Sequence, residues 1–200
     1  GGYQLLEMTF EQIQFERLML ISTSANETTW GRAIHASQRM ALETDPTFYE
    51  NSELAGRKGM AAARSIGMLT YRGSEAFNIS QAEDDNSKKN DFKVESYLRY
   101  QGKKIGERFH AHCYYKLGEC LDSHDIFRNR FNNISEALST IKTNCLVVAI
   151  STDILTPPVN QKVLADNIQG AEYVEIESNF GHDAFLVEHQ AISALLRRWL

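Results

Sequence analysis

Two short apolar runs, each followed by a helix-like segment, constrain the fold of this chain most strongly. The first run is CLVVAI at 145–150, and the second is YVEIE at 173–177. Helical patterns follow at 159–168 and from 183 to 199. Strand, helix, strand and helix at this spacing predict βαβ units and a parallel sheet. In such sheets the chemistry lies beyond the carboxyl ends of the strands.

The rest of the chain adds one more strand and a long helical stretch. The run LMLISTSA at 18–25 is typical of a buried parallel strand that ends in a loop, with helical patterns before it at 3–15 and after it at 30–44. From about residue 50 the strand signal disappears, and helical segments follow at 55–69, 95–109, 111–121 and 134–140, with a polar loop at 80–91. We therefore predict an α/β core at 1–47 and 143–200, divided by a helical lid insertion at 48–142.

Composition and charge exclude several classes of protein. The chain is 42% hydrophobic and 24% charged, as expected of a globular protein. A net charge of −5 argues against nucleic acid as a partner. No apolar stretch approaches the roughly 20 residues that cross a bilayer, so we expect no membrane partner. The three cysteines form no CxxC pair, which favours a reduced, cytoplasmic setting.

An acid and a histidine follow the two C-terminal strands. Asp153 comes just after the first run and His182 just after the second, so both are expected at one edge of the sheet. A carboxylate beside an imidazole fixes its tautomer and stabilises its protonated form. In α/β-hydrolases the chain order is nucleophile, acid, histidine. The alternatives are that Asp153 caps the next helix and that His182 is structural, but the pair in this order favours catalysis.

Three motifs resemble a known family. They are ARSIGMLTYR at 63–72, FKVESYLRYQG at 92–102 and GHDAFL at 181–186, and DPTF at 45–48 matches a turn of the same family. Together they resemble the homoserine O-acetyltransferases, which are α/β-hydrolase-fold acyltransferases of methionine biosynthesis. The resemblance covers essentially the whole chain. It implies a partial α/β-hydrolase fold with a helical lid.

The resemblance also concerns the first residues. In the family the nucleophile turn runs Gly-Gly-Ser-x-Gly-Gly and continues as Met-Gln, and Gly1-Gly2-Tyr3-Gln4 is similar to the end of that stretch. We therefore expect the nucleophilic serine two residues before Gly1. The oxyanion-hole donors and the earlier strands are then also expected outside this sequence. No serine within the chain lies in such a turn, so an inactive fragment is an alternative.

The resemblance implies roles for five residues. Asp153 and His182 match the catalytic acid and base. Arg64 and Asp183 match the homoserine-binding residues, and a guanidinium and a carboxylate suit the α-carboxylate and α-ammonium of an amino acid. Tyr71, two helical turns after Arg64, matches a tyrosine near the acyl intermediate. A surface charge at Arg64 and a packed core ring at Tyr71 are the alternatives.

The implied reaction is a ping-pong transfer of an acetyl group from acetyl-CoA to the side-chain hydroxyl of L-homoserine, with no permanently bound cofactor. The family also implies a homodimer through the lid. An ester hydrolase of the same fold remains an alternative. A succinyl donor remains open because the choice depends on the residues that line the acyl pocket, and a serine acceptor because it differs from homoserine by one methylene, worth only about 1–3 kcal/mol of discrimination.

One departure from the family pattern suggests a metal. The chain has RFHAHCY at 108–114 where the family has RFDANSY, and His110, His112 and Cys113 are plausible zinc ligands. Residues two apart on a helix point in different directions. We therefore predict no metal site.

Overall fold

The computed structural model of the protein describes residues 1–11 and 13–200. They form two compact units. The sheet unit comprises Gly1–Glu27, Tyr71–Gly73 and His124–Leu200. The helical unit comprises Thr28–Thr70 and Ser74–Ser123.

These units do not share the boundaries predicted for core and lid. The predicted lid runs from 48 to 142, whereas the helical unit begins at Thr28 and ends at Ser123. The helix predicted at 30–44 thus belongs to the helical unit, and the stretch 124–142 belongs to the sheet unit. Because the units are defined by packing, the division into core and lid stays a prediction.

A parallel sheet of three strands forms the centre of the sheet unit. The strands are β1 (Arg17–Ile21), β2 (Asn144–Ile150) and β3 (Glu172–Ile176), in the order β1-β2-β3. Both pairings are parallel, with Leu20 opposite Val147 and Ile150 opposite Ile176. The predicted parallel sheet is therefore confirmed, and the run at 145–150 is its central strand.

Two apolar clusters cover the faces of β2, which explains its unbroken apolar sequence. One cluster contains Cys145 and Val147 together with Leu164 of a flanking helix. The other contains Leu146, Val148 and Ile150, against which the C-terminal helix packs. The helices of the sheet unit are α1 (Gly2–Met8), α7 (Ile134–Ser139), α8 (Pro158–Asn167), α9 (Ala184–Val187) and α10 (His189–Trp199).

The helical unit packs around a core of its own. Its elements are α2 (Thr29–Glu43), α3 (Arg57–Tyr71, whose last residue lies in the sheet unit), α4 (Ser74–Ser80), α5 (Lys93–Gly106) and α6 (Ala111–Asp122). The core residues are buried and apolar, namely Leu42, Phe48, Met60, Ala63, Ile105 and Ala111. Within the part of the chain that is described, no helix is long and apolar enough to cross a membrane.

Asp45 organises the turn between α2 and α3. Its carboxylate accepts hydrogen bonds from the Thr47 backbone and hydroxyl on one oxygen and from the Lys58 and Gly59 N–H groups on the other. Burial would raise the pKa of Asp45, but the hydrogen bonds from Gly59, Thr47 and Lys58 outweigh it and lower that pKa. Asp45 therefore caps α3 as a buried anion.

Most predicted elements are confirmed, with three corrections. Helix α4 was not predicted. The helix predicted at 3–15 ends at Met8, and the hydroxyl of Thr9 donates a hydrogen bond to the Leu6 carbonyl. Residue 12, which the prediction included, lies outside the described residues. The predicted final helix is interrupted at Glu188, which separates α9 from α10.

Candidate active site

Asp153 lies in the turn that follows β2. Its side chain is fully buried, and its Oδ1 accepts hydrogen bonds from the backbone N–H groups of Leu155 at 2.9 Å and Thr156 at 2.8 Å. Helix α8 begins later, at Pro158, with Pro157 at its N-cap. Asp153 is therefore not a helix cap, and the turn holds its carboxylate with Oδ2 still available.

His182 lies in the 3₁₀ turn Gly181–Asp183 that follows β3. Its Nδ1 is 2.7 Å from Oδ2 of Asp153, so the two predicted residues meet at the carboxyl edge of the sheet. The imidazole is 19% exposed, and its Nε2 has no hydrogen-bond partner among the described residues. With Nδ1 donating to the carboxylate, Nε2 carries the lone pair and can accept a proton.

Two aromatic rings flank this imidazole. Phe185 meets it edge-on at 5.5 Å between ring centroids, and Tyr71 lies at 6.4 Å in a tilted arrangement. The structure therefore places Tyr71 close to His182. The alternative considered from the sequence was a ring packed in the core. Its predicted role beside an acyl intermediate stays a prediction.

The segment Tyr71–Gly73 packs directly on the histidine turn. A Cβ atom on Gly73 would lie 2.2 Å from the Asn179 carbonyl oxygen, and a Cβ on Gly181 would lie 2.5 Å from the Gly73 nitrogen. Gly181 also has a φ of +63°, a conformation that glycine adopts without strain. Both positions thus require glycine, because the two backbones approach too closely for any side chain.

This contact brings an arginine to the predicted substrate-binding acid. Nε of Arg72 is 3.8 Å from Oδ2 of Asp183, and both side chains are partly buried. Sequence reasoning missed Arg72, although it adjoins the motif tyrosine. The Asp183 carboxylate thus already faces a cation, and its predicted role as a holder of an ammonium group stays a prediction.

Arg64 lies on α3 within the helical unit and is partly buried. It precedes Tyr71 by seven residues on the same helix, as predicted. Its use together with Asp183 as a clamp for an amino acid stays a prediction.

The argument against a metal at His110, His112 and Cys113 needs correction. His110 precedes α6 as its N-cap, so the two histidines are not both on a helix, and their rings stack at 5.4 Å. Nδ1 of His110 accepts the backbone N–H of His112, a capping role. Among the described residues, no three His, Cys, Asp or Glu side chains converge as metal ligands would.

A second histidine–aspartate pair lies in the helical unit and was not predicted. Nδ1 of His35 is 2.8 Å from Oδ1 of Asp122, and Arg39 is 2.5 Å from the other oxygen. His35 is 8% exposed. Because Arg39 shares the carboxylate and the imidazole is buried, this pair joins α2 to α6 and gives no access to a substrate.

A buried polar cluster around Tyr3 was also missed. The Tyr3 hydroxyl donates to Glu27 at 3.1 Å, its ring stacks on His124 at 3.8 Å, and Nε2 of His124 donates to the Ser24 carbonyl. Burial, reinforced by Glu27, raises the pKa of Tyr3, and burial lowers the pKa of His124. The cluster joins Tyr3 of α1 and His124 to Ser24 and Glu27 in the loop beyond β1. At the position of Tyr3, the family motif given above has a methionine.

A parallel sheet with an acid and a histidine beyond neighbouring strands defines an α/β-hydrolase-fold protein. No protein-family model matches the chain. Within that fold, the chain is homologous to the homoserine O-acetyltransferases over nearly its whole length. It is 39% identical over 184 residues to the homoserine O-acetyltransferase of Cyclobacterium marinum, covering 92% of this chain and 52% of the relative. The resemblance predicted from the motifs is therefore confirmed.

Solved structures agree with this assignment of the fold. The homoserine O-acetyltransferase of Bacillus anthracis superimposes with a TM-score of 0.87 at 19% identity, over 100% of this chain and 57% of that one. Esterase E22 superimposes with a TM-score of 0.82 at 16% identity, over 100% of this chain and 58% of the esterase. The chain thus spans about half the length of the curated relatives and of the structures it matches.

Proposed function

We propose that the protein is an acyltransferase that moves an acetyl group from acetyl-CoA to the side-chain hydroxyl of L-homoserine. The observation that carries this proposal is the 2.7 Å contact between His182 and Asp153, with Asp183 next to the histidine in the chain. The names of the relatives support the choice of acyl transfer, a role in methionine biosynthesis and homoserine as the acceptor.

The first half-reaction needs a nucleophile, which we propose is a serine in a segment that precedes Gly1. The chain spans about half of its relatives, and its first residues are similar to the end of the family's nucleophile turn. Nε2 of His182 takes the serine proton as the serine oxygen attacks the thioester carbonyl. The carbon–sulfur bond breaks, CoA leaves with that proton, and an acetyl-serine remains.

The second half-reaction uses the same base. Nε2 of His182 takes the proton of the homoserine hydroxyl as its oxygen attacks the acetyl-serine carbonyl. The bond between the acyl group and the serine oxygen then breaks, and the serine oxygen takes that proton back from Nε2. In this proposal Asp183 holds the α-ammonium, Arg64 holds the α-carboxylate, and Tyr71 lies beside the acyl group. The lid excludes water, which would otherwise compete with homoserine for the acetyl group.

Further expectations belong to the same proposal. Acetyl-CoA and homoserine are substrates that leave after each turnover, so no cofactor is held permanently. We propose a homodimer formed through the helical lid and a cytoplasmic location.

An ester hydrolase is the second candidate, because esterase E22 shares the fold over the whole of this chain. Such an enzyme would need the same Asp153 and His182 but would deliver water to the acyl-enzyme. A succinyl donor and a serine acceptor are closer alternatives, and an inactive fragment is the alternative for the chain by itself.

Release of CoA from acetyl-CoA by the full-length protein tests the proposal. We expect release that depends on L-homoserine and is abolished by His182→Ala. Equal rates with and without homoserine would exclude the transferase and favour the hydrolase. Parallel assays with succinyl-CoA and with L-serine identify the donor and acceptor. Turnover by His182→Ala at the wild-type rate would exclude His182 as the base.

A further inference from the structure

The two loops that carry Asp153 and His182 are joined by hydroxyl groups. The Thr152 hydroxyl donates to the Ser178 carbonyl at 2.6 Å and accepts the Gly181 N–H at 3.0 Å. The Ser151 hydroxyl accepts the Ser178 N–H at 3.1 Å. The Ser151 hydroxyl also donates a longer bond, of 3.5 Å, to the Ser178 carbonyl. Four hydrogen bonds thus connect the loop of the acid to the loop of the histidine, in addition to the contact between Asp153 and His182.

These hydroxyl groups lie beyond the point where the backbone hydrogen bonds between β2 and β3 end. The backbone pairing of β2 with β3 ends at Ile150 opposite Ile176, followed by one bond from the Ser151 N–H to the Ile176 carbonyl. Beyond that point no backbone-to-backbone hydrogen bond joins the two loops among the described residues. Side-chain hydroxyls therefore take the place of backbone hydrogen bonds in the two loops that carry Asp153 and His182.

Thr152 has the central place in this arrangement. Its hydroxyl group is both donor and acceptor. Its two partners, Ser178 and Gly181, are the first and last residues of the four-residue segment that directly precedes His182. Asp153, the next residue, is held independently through its Oδ1 by the turn 153–156. The acid is thus fixed from its own side and the histidine from Thr152.

We propose that Thr152 is a positioning residue for the acid–base pair. It sets the separation of Asp153 and His182 before any substrate binds, so that the pair does not need to rearrange when His182 accepts a proton. The catalytic part of this inference rests on the proposed function. A displacement of about 1 Å at a catalytic group can cost a hundredfold in rate, so the loss of such a clamp is measurable.

The test compares Thr152→Val with Thr152→Ser. Valine keeps the shape but removes the acceptor of the Gly181 N–H and leaves the Ser178 carbonyl with only the longer bond from Ser151, whereas serine keeps the hydroxyl. Thr140→Val is the matched control, because the Thr140 hydroxyl also donates to a backbone carbonyl, that of Ala137 at 2.7 Å, at the end of α7. Thr152→Ala, which adds no bulk, replaces the valine variant if that one does not fold.

Two measurements follow. In the 200-residue chain, we expect the downfield proton resonance of His182 Nδ1, assigned by its loss in His182→Gln, to weaken or shift in Thr152→Val only. In the full-length protein, we expect kcat to fall about tenfold, with the KM for homoserine within about twofold of wild type. Thr152→Ser is expected to restore both values.

A purely structural role would give a different pattern. If Thr152→Val lowered only the melting temperature, as Thr140→Val is expected to do, and left the resonance and kcat unchanged, the inference would be overturned. Absence of homoserine-dependent transfer in the wild-type protein would refute the proposed function instead. The resonance would still report on the hydrogen bonds of Thr152, because its measurement needs no turnover.

Discussion

Replacing Asp153 by Asn gives the sharpest test of the catalytic pair, because the structure determines how the amide must turn. Among the described residues, Oδ1 accepts two backbone N–H groups, whereas Oδ2 accepts one hydrogen bond, from Nδ1 of His182. If the amide nitrogen faced the turn, the partly buried N–H of Leu155 and the buried N–H of Thr156 would each lose a partner, at a cost of up to about 1–3 kcal/mol apiece. The oxygen therefore stays with the turn, and the amide nitrogen faces His182.

That orientation forces the wrong tautomer on the histidine. An amide nitrogen donates a hydrogen bond, so Nδ1 of His182 must accept it and the ring proton moves to Nε2. Nε2 then cannot act as a base. In a Ser-His-Asp triad this change costs about 10⁴ in kcat, which corresponds to about 5.5 kcal/mol at 1.36 kcal/mol per tenfold.

The assay is homoserine-dependent CoA release by the full-length Asp153→Asn protein, together with the ¹⁵N shifts of His182 in the 200-residue chain. Asp125→Asn is the matched control, because Asp125 also accepts two backbone N–H groups in a turn, from Phe127 and Arg128. We expect full activity in that control. Retention of more than about a tenth of the wild-type kcat in Asp153→Asn, where the estimate is 10⁻⁴, would refute the tautomer argument.

Three further predictions concern stability and the second pair. Asp45→Asn is expected to lower the free energy of unfolding by about 2 kcal/mol at neutral pH, since an amide cannot accept at both positions. Because the folded pKa of Asp45 is lowered, urea titrations should show the full loss above the unfolded pKa of about 3.9 and a vanishing loss as pH falls through the folded pKa. Gly181→Ala should cost more in melting temperature than Gly170→Ala, which has a similar φ of +76° but nothing within 4 Å; equal losses would show that the contact with Gly73 is unimportant. His35→Gln should lower stability yet leave CoA release within about twofold of wild type, because its pair only joins two helices; a large loss of turnover would contradict that assignment.

The positions of Asp153 and His182 could be predicted because each depends on a local pattern. An apolar run of strand length identifies the strand, and a parallel arrangement places the residues after neighbouring strands at one edge. The pair His35 and Asp122 could not be found in this way. Those two residues lie 87 positions apart on two helices, and nothing in either helix indicates which helix will pack against it.

The segment Tyr71–Gly73 shows the same limit and bears most directly on the acceptor. Its place in the sheet unit depends on two backbones meeting at Gly73 and Gly181, and the pattern of the sequence assigns it only to the end of a helix. That contact sets Arg72 against Asp183. The homoserine hypothesis therefore requires one carboxylate to serve two cations, the guanidinium of Arg72 and the ammonium of the acceptor. Because the partly buried Arg72 offsets part of the charge of Asp183, an ammonium bound there gains less than it would beside a carboxylate that faces no cation.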